Sequence, residues 1–332
     1  MLRFLVFTDF HYKRGMYMPP VSSLESILDR AADCQADFVI HCGDFCNDYA
    51  GSPEITDAYL NNRHGLQVYG VYGNHELETQ GNSMANVTPM LTNSPVQFGG
   101  EKVGYWYADI KNYRIIGLDT NYSMTAAEAW EHNRPASHTS PKENFFTDSV
   151  GDVQIEWLEK ILTDAAEKEL TCLVFSHASM SPKWTASPDA PIVRSVFRKI
   201  NKKRPGTVLM AVNGHYHTDH FAEEDGTYYF DVNAVHNAFW SPRNEHHYAD
   251  EHTYSFTDYV DGKPVGTVDR PLNTLSQGKN TWFLDKPLSA VVTIDENGIR
   301  IEGASSDWMY GILPDKPYEG VKSCIEDRTI IF

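Results

Sequence analysis

Five stretches of this chain are almost continuously apolar, and each runs straight into a short cluster of glycine, aspartate, asparagine or histidine. They are residues 2–8 (LRFLVFT), 38–42 (FVIHC), 67–72 (QVYGVY), 171–175 (TCLVF) and 208–212 (VLMAV). Apolar runs that do not alternate predict strands buried on both faces, as in parallel sheets. Between them the period changes. Over residues 21–35, Leu24, Ile27, Leu28 and Ala31 follow the i, i+3, i+4, i+7 spacing of a helix, with Ser22 or Ser23 as the expected cap. Residues 153–166 and 192–201 repeat that spacing, with Ile155, Leu158, Ile161, Leu162 and Ala165 on one face of the former. Strand–helix alternation of this kind builds parallel βαβ units.

Other segments read as antiparallel. Residues 104–110 and 113–118 flank a Lys111-Asn112 turn, and 228–232, 288–294 and 299–302 follow as strands, the last two joined by Asp295-Glu296-Asn297-Gly298. Residues 120–148 predict a long surface loop, a length that usually carries function. Residues 238–282 read as aromatic, polar and irregular, with Asp261-Gly262 as a hairpin turn. The expected fold class is α/β, a four-layer α/β/β/α sandwich of two mixed β-sheets flanked by helices. Residues 1–235 would form its core. Residues 236–332 would add a loop-rich elaboration and C-terminal strands completing the same domain.

Composition narrows the function. The 332 residues are 41% hydrophobic and 22% charged, enough for a large core. With 45 acidic against 28 basic residues the net charge is −17, which argues against a protein that grips a nucleic-acid backbone. An anionic small-molecule substrate would then need bound cations to hold it. The five cysteines, Cys34, Cys42, Cys46, Cys172 and Cys324, form no CxxC pair. Cys42 and Cys172 are expected as core hydrophobes. The apolar run at the N-terminus is too short for a signal peptide and no 18-residue apolar stretch follows, so a cytoplasmic location without a membrane partner is expected. Homo-oligomerisation stays open.

The chemistry lies where the strands end: Asp9-Phe10-His11, Gly43-Asp44, Gly73-Asn74-His75-Glu76, Ser176-His177 and Gly214-His215-Tyr216-His217. Ligand sites in α/β sheets form outside the carboxyl ends of strands, so these motifs should converge. Singly, each reads as a turn or a helix cap; together and in this order they do not. Two aspartates, one asparagine and four histidines suit Zn, Mn or Fe rather than calcium, and exceed the needs of one ion. The remaining histidines have plainer readings. His41 is expected in the core, His64, His132 and His138 in polar loops, and His220 at the surface. Trp184, His236, Trp240 and Arg243 are candidate substrate contacts, with His246 and His247 beside them in sequence.

The series Asp9-x-His11, Gly43-Asp44, Gly73-Asn74-His75-Glu76, His177 and Gly214-His215-x-His217 resembles the calcineurin-like metallophosphoesterase superfamily over roughly residues 1–235. The resemblance implies two divalent or mixed-valence ions. Asp9, His11, Asp44 and His217 would hold the first, and Asp44, Asn74, His177 and His215 the second, with Asp44 bridging. It makes His75 the catalytic histidine. That histidine is commonly followed by Asp in the family; here it is followed by Glu76. Gly117-Leu118-Asp119-Thr120, with Gly151, Gln154, Trp157 and Leu158, is similar to the branch of class III cyclic-nucleotide phosphodiesterases and glycerophosphodiesterases. Asn47 stands where purple acid phosphatases carry a tyrosine, against an iron–tyrosinate centre. The implied reaction is phosphoester hydrolysis by a metal-bridging hydroxide, with His75 assisting. A small organic phosphodiester is the expected substrate, because Arg and Lys are sparse near the motifs, Lys13, Arg14 and Lys183 being the nearest. A phosphomonoesterase or protein phosphatase is the alternative, and a catalytically silent metal-binding scaffold the alternative from another class.

Overall fold

The structure is a computed structural model that describes residues 1–14, 20–77, 82–121, 148–240, 247–260, 263–275, 280–315, 317 and 319–332. Its first sheet combines β1 (Leu2–Phe7), β2 (Phe38–His41) and β3 (Val68–Gly70), mutually parallel, with the antiparallel β15 (Ala290–Asp295), β16 (Gly298–Gly303) and β17 (Arg328–Ile331), in the order β17-β16-β15-β1-β2-β3. The second sheet runs β4 (Gln97–Phe98), β5 (Trp106–Ile110), β6 (Tyr113–Gly117), β7 (Thr171–Ser176), β8 (Val208–Asn213), β10 (Thr227–Asp231) and β9 (His220–Glu224). Within it β6, β7, β8 and β10 are parallel. The layers are those expected: two mixed sheets face to face, with helices outside.

Why the strands lack polar alternation is now visible. On β1, Leu2, Phe4 and Val6 point between the sheets, while Leu5 and Phe7 point outward under α1 (Val21–Asp33) and α2 (Pro53–Leu60). On β7, Leu173 and Phe175 face the inter-sheet core, and Cys172 and Val174 face α4 (Asp152–Glu167) and α5 (Ala190–Lys203), which follow the short α3 (Met84–Val87). Burial on both faces leaves few positions where a polar residue is tolerated, Arg3 on β1 and His41 on β2 being exceptions. Each such Leu, Val or Phe contributes about 1.5–3 kcal/mol on leaving water.

Two readings need correction. The α1 helix starts at Val21 with no side-chain cap; the Ser23 hydroxyl is buried and meets His236 Nε2 at 2.9 Å instead. The stretch 238–282 is not irregular. It holds β11 (Asn237–Trp240) paired with β14 (Thr281–Phe283), and a ribbon of β12 (Thr253–Val260) and β13 (Lys263–Pro271). The Asp261-Gly262 turn and almost all of the 120–148 loop lie outside the described residues. No described helix is long and apolar enough to cross a membrane.

One buried group is costly to the fold. Asp231, at the end of β10, is 1% exposed, and neither carboxylate oxygen meets a hydrogen-bond partner among the described residues. Burial pushes its carboxyl up to about 7; the Ser179 hydroxyl opposes the rise without reaching bonding geometry, and Asp219 adds to it. A carboxyl raised in the folded state destabilises progressively as pH climbs from the unfolded value toward 7, and the full cost is present above that. Asp231→Asn should therefore raise the melting temperature at pH 8, by about 1–3 kcal/mol of stability, and leave it unchanged near pH 4. Melting curves at the two pH values check this; an equal shift at both would show that the charge is not the cause.

Candidate metal centre

The five motifs leave the C-terminal ends of β1, β2 and β3 in one sheet and β7 and β8 in the other, so the centre straddles two facing sheets rather than one. Backbone bonds zip the first two exit loops together: Asp9 N–H to Gly43 O at 3.1 Å, and His11 N–H to Asp44 O at 2.7 Å. The path is strained. Asp9, His11, Asp44, His215 and His217 all take left-handed φ values of 51–73°. Non-glycine residues persist there only where the surroundings over-determine them, typically at functional sites. Glycines supply the close approaches. A Cβ on Gly73 would fall 2.1 Å from Asp44 Oδ1, and one on Gly214 would fall 2.0 Å from Thr8 Oγ1 and 2.7 Å from Asp9 Oδ2.

The side chains form two linked groups. In the first, Asp9 Oδ1 lies 3.1 Å from His217 Nε2 and 3.8 Å from His11 Nε2, and the two imidazole nitrogens are 3.3 Å apart. In the second, His177 Nε2 stands 3.2 Å from Asp44 Oδ2, 3.0 Å from Asn74 Oδ1 and 3.1 Å from His215 Nδ1. Asp44 Oδ2 is also 3.8 Å from His11 Nε2, which places this carboxylate between the groups. Donors about 2.0–2.2 Å from a common ion stand roughly 3–3.5 Å from one another, so these spacings fit a cation in each group. Asp9 Oδ1, buried and facing His217 Nε2, is aimed into the first.

Outer contacts hold the rings. His177 Nδ1–H donates to Cys42 O at 2.8 Å, His217 Nδ1–H to Asn237 O, and His11 Nδ1 lies 3.3 Å from Asn47 Oδ1. A carbonyl can only accept, so these contacts keep a proton on Nδ1 and leave Nε2 as the nitrogen that would serve a bound cation, the usual arrangement behind metal-bound imidazoles. Asn47 thus fills the position of the absent tyrosine as a brace. The charges agree. Burial opposes ionisation of Asp9 and Asp44, yet His217 and His177 hold Asp9, and chiefly His177 holds Asp44, below the usual carboxylate range. Burial likewise works to neutralise His177, but Asp44 and Asp9 keep it up at about 10. Burial pushes His11 down to about 3. Two carboxylates in a dry pocket demand positive charge, which divalent cations supply.

Glu76 does not face His75. Its buried carboxylate accepts the N–H groups of Gly73, of Asp44 at 2.8 Å and of Phe45 at 2.6 Å, tying the Asn74 loop to the Asp44 loop. His75 N–H in turn donates to Asp44 Oδ1 at 2.8 Å, and its ring sits edge-on to His11 at 4.8 Å. The His75, His217 and His215 side chains are 21%, 18% and 27% exposed, against 1% for His177, which marks the open side of the centre.

The calcineurin-like phosphoesterase family profile matches residues 2–219, spanning all five motifs. The chain belongs to this family. The calcineurin-like phosphoesterases hydrolyse phosphoesters with metal ions, and the side-chain clusters described here suggest a dinuclear site. Among solved structures, a dimetal phosphatase from Danio rerio superposes with a TM-score of 0.60 at 14% identity, covering 99% of this chain and 98% of that one; the likeness is one of fold. A putative 5′-nucleotidase from Staphylococcus aureus aligns at a TM-score of 0.45 and 15% identity, over 96% of this chain and 56% of that one. A search of curated proteins gave no match.

The candidate substrate contacts fare differently. Trp184 stacks on His220 at 4.9 Å and meets Tyr216 edge-on at 5.8 Å, so it stands beside the His215–His217 loop. His236 is corrected to a structural residue: it is buried, with Nδ1–H donating to Leu284 O and Nε2 against Ser23. His220 is corrected too, buried with Nε2 bonded to Glu319 O rather than lying at the surface. His247 lies flat on Trp282 at 3.8 Å, with Nε2 bonded to Thr281 O. The Trp240 side chain, Arg243, His132, His138 and His246 fall outside the described residues. Gln154 and Trp157 are packing residues: Gln154 clamps the Asp119 backbone through both amide atoms, and Trp157 packs on Tyr105 at 4.7 Å.

Sequence reasoning missed the braces. Thr8 Oγ1–H donates to Asp9 Oδ2 at 2.7 Å, and Asn121 Nδ2–H to Gly73 O at 3.0 Å. The carbonyls of Cys42 and Asn237 carry no side-chain signal. Thr8, adjacent to Asp9, was the one within reach of inspection.

Proposed function

We propose that this phosphoesterase hydrolyses small organic phosphodiesters, with Asp9, His11, Asp44 and His217 holding one cation and Asp44, Asn74, His177 and His215 the other. Cations so held supply Lewis acidity toward the phosphoryl oxygens and a water nucleophile at neutral pH. His75, on the open side, acts on the leaving-group oxygen as proton donor or holds a phosphoryl oxygen. Trp184, beside Tyr216, offers an apolar wall for the organic part of the substrate.

The diester reading rests on one observation. Two of the three cations near the motifs are engaged by carboxylates: Arg14 Nε donates to Glu54 at 2.9 Å, and Lys183 Nζ to Glu319 at 2.6 Å. Asp148 adds a carboxylate at the rim, 3.9 Å from His215. A phosphomonoester brings roughly twice the charge of a diester to this acidic mouth, and like charges disfavour it. With Mn(II) added, bis-p-nitrophenyl phosphate should be turned over with a kcat/KM at least about tenfold above that of p-nitrophenyl phosphate, a difference of about 1.4 kcal/mol. A monoester preference would reverse the assignment, and hydrolysis of neither would favour the silent scaffold.

A further inference from the structure

Three of the four histidines in the centre turn Nε2 inward and hold Nδ1 against an oxygen behind them. His215 does the opposite. Its Nδ1 faces His177 Nε2 at 3.1 Å, and its Nε2 points away from the cluster, 3.9 Å from Asp148 Oδ2. If Nδ1 is the ligand atom, the proton belongs on Nε2, and an acceptor on that side would hold the ring and its tautomer.

Asp148 is built to be there. Its φ of 45° is left-handed, and the three residues after it are pinned to one carboxylate oxygen: Ser149 Oγ–H, Val150 N–H and Gly151 N–H donate to Asp189 Oδ2 at 2.6, 2.9 and 3.0 Å. The strained backbone and the three-bond anchor beside it place the Asp148 carboxylate on the outer side of His215, at 3.9 Å, where a small rotation of either side chain brings it to the Nε2 proton. Its side chain is 23% exposed.

We infer that Asp148 is a positioning residue for His215, the carboxylate of a carboxylate–histidine–metal relay at the second cation position. The inference rests on the dinuclear reading of the centre and adds a residue that none of the five motifs contains. Outer partners of this kind typically change metal affinity by 10–100-fold.

The test is calorimetric titration of the metal-stripped full chain with Mn(II). Asp148→Gly removes the carboxylate and adopts the left-handed φ without strain, so it keeps the local fold. Asp148→Asn keeps an acceptor oxygen and also tolerates that φ. Asp148→Gly should bind the second equivalent about 10–100-fold more weakly with the first unchanged. Asp148→Asn should restore it to within about threefold of wild type, a rescue that follows from an acceptor oxygen for Nε2–H. Two equivalents bound alike by wild type and Asp148→Gly would overturn the inference alone. Equal losses in both variants would assign the effect to charge and overturn the positioning role. A wild-type chain that takes up a single equivalent would overturn the dinuclear reading and this inference with it.

Discussion

Asp44→Asn is expected to reduce the metal content from two ions per chain to one or fewer and to lower turnover by about 10³-fold. The shape of the side chain barely changes, and Oδ1 can still accept the His75 N–H that it now holds at 2.8 Å. What disappears is the negative charge on the carboxylate standing between the groups, 3.2 Å from His177 Nε2 and 3.8 Å from His11 Nε2. A metal clamp stabilises several kcal/mol of transition-state charge, and about 4 kcal/mol corresponds to three decades of rate. Elemental analysis after dialysis counts the ions, and steady-state kinetics gives the rate. Because Glu76 holds the Asp44 loop by its backbone N–H groups, the far-UV circular dichroism should not move. Two retained ions with wild-type turnover would remove Asp44 from its bridging place.

What was legible in the chain follows from which surfaces are buried. The strands β1, β2, β7 and β8 are covered on both faces, so most positions are under the same apolar selection and the runs stand out. The motif that ends each run is equally plain, because a strand cannot continue through Gly-Asp or Gly-Asn-His without a turn. The α4 stripe of Ile155, Leu158, Ile161, Leu162 and Ala165 is buried as its spacing predicts. The β12–β13 ribbon was illegible for the converse reason. Its β13 strand is exposed from Lys263 to Arg270, so nothing selects an alternating pattern, and its pairing is carried by backbone bonds to which the sequence is nearly indifferent.

The centre divides along the same line. Its inward-facing donors are side chains at strand ends and could be read. The groups that aim them are main-chain carbonyls of Cys42 and Asn237, or residues such as Asn47 and Asn121 whose relation to the site exists only after folding. Histidine identity misled where packing decides. His236 has the chemistry of a site, but burial and a backbone carbonyl acceptor make it a fastener, and the same two features draw His220 in from the surface. Glu76 shows the reverse: standing where the family commonly has Asp, it ties the Asn74 loop to the Asp44 loop through backbone N–H groups.

His75→Ala should leave two ions bound and lower kcat by about 10²–10⁴-fold, the range that general acid–base groups contribute. The structure makes this a sharp question, because His75 Nε2 is 3.9 Å from Asp44 Oδ2 and, by distance, could itself serve as a metal ligand beside His11 and Asp44. Two features favour catalysis over ligation. The ring is on the open side of the centre, where a substrate arrives, and Asn74 already presents its oxygen to His177 from the same loop. A ligand's removal would lower the metal content and the rate together. A proton donor's removal lowers the rate with the metals in place, and most for poor leaving groups, since a leaving oxygen of low pKa departs without a proton. Comparing bis-p-nitrophenyl phosphate with an alkyl diester therefore separates the roles. The alkyl ester should lose more than the nitrophenyl ester in His75→Ala, whereas equal losses accompanied by a missing ion would make His75 a ligand.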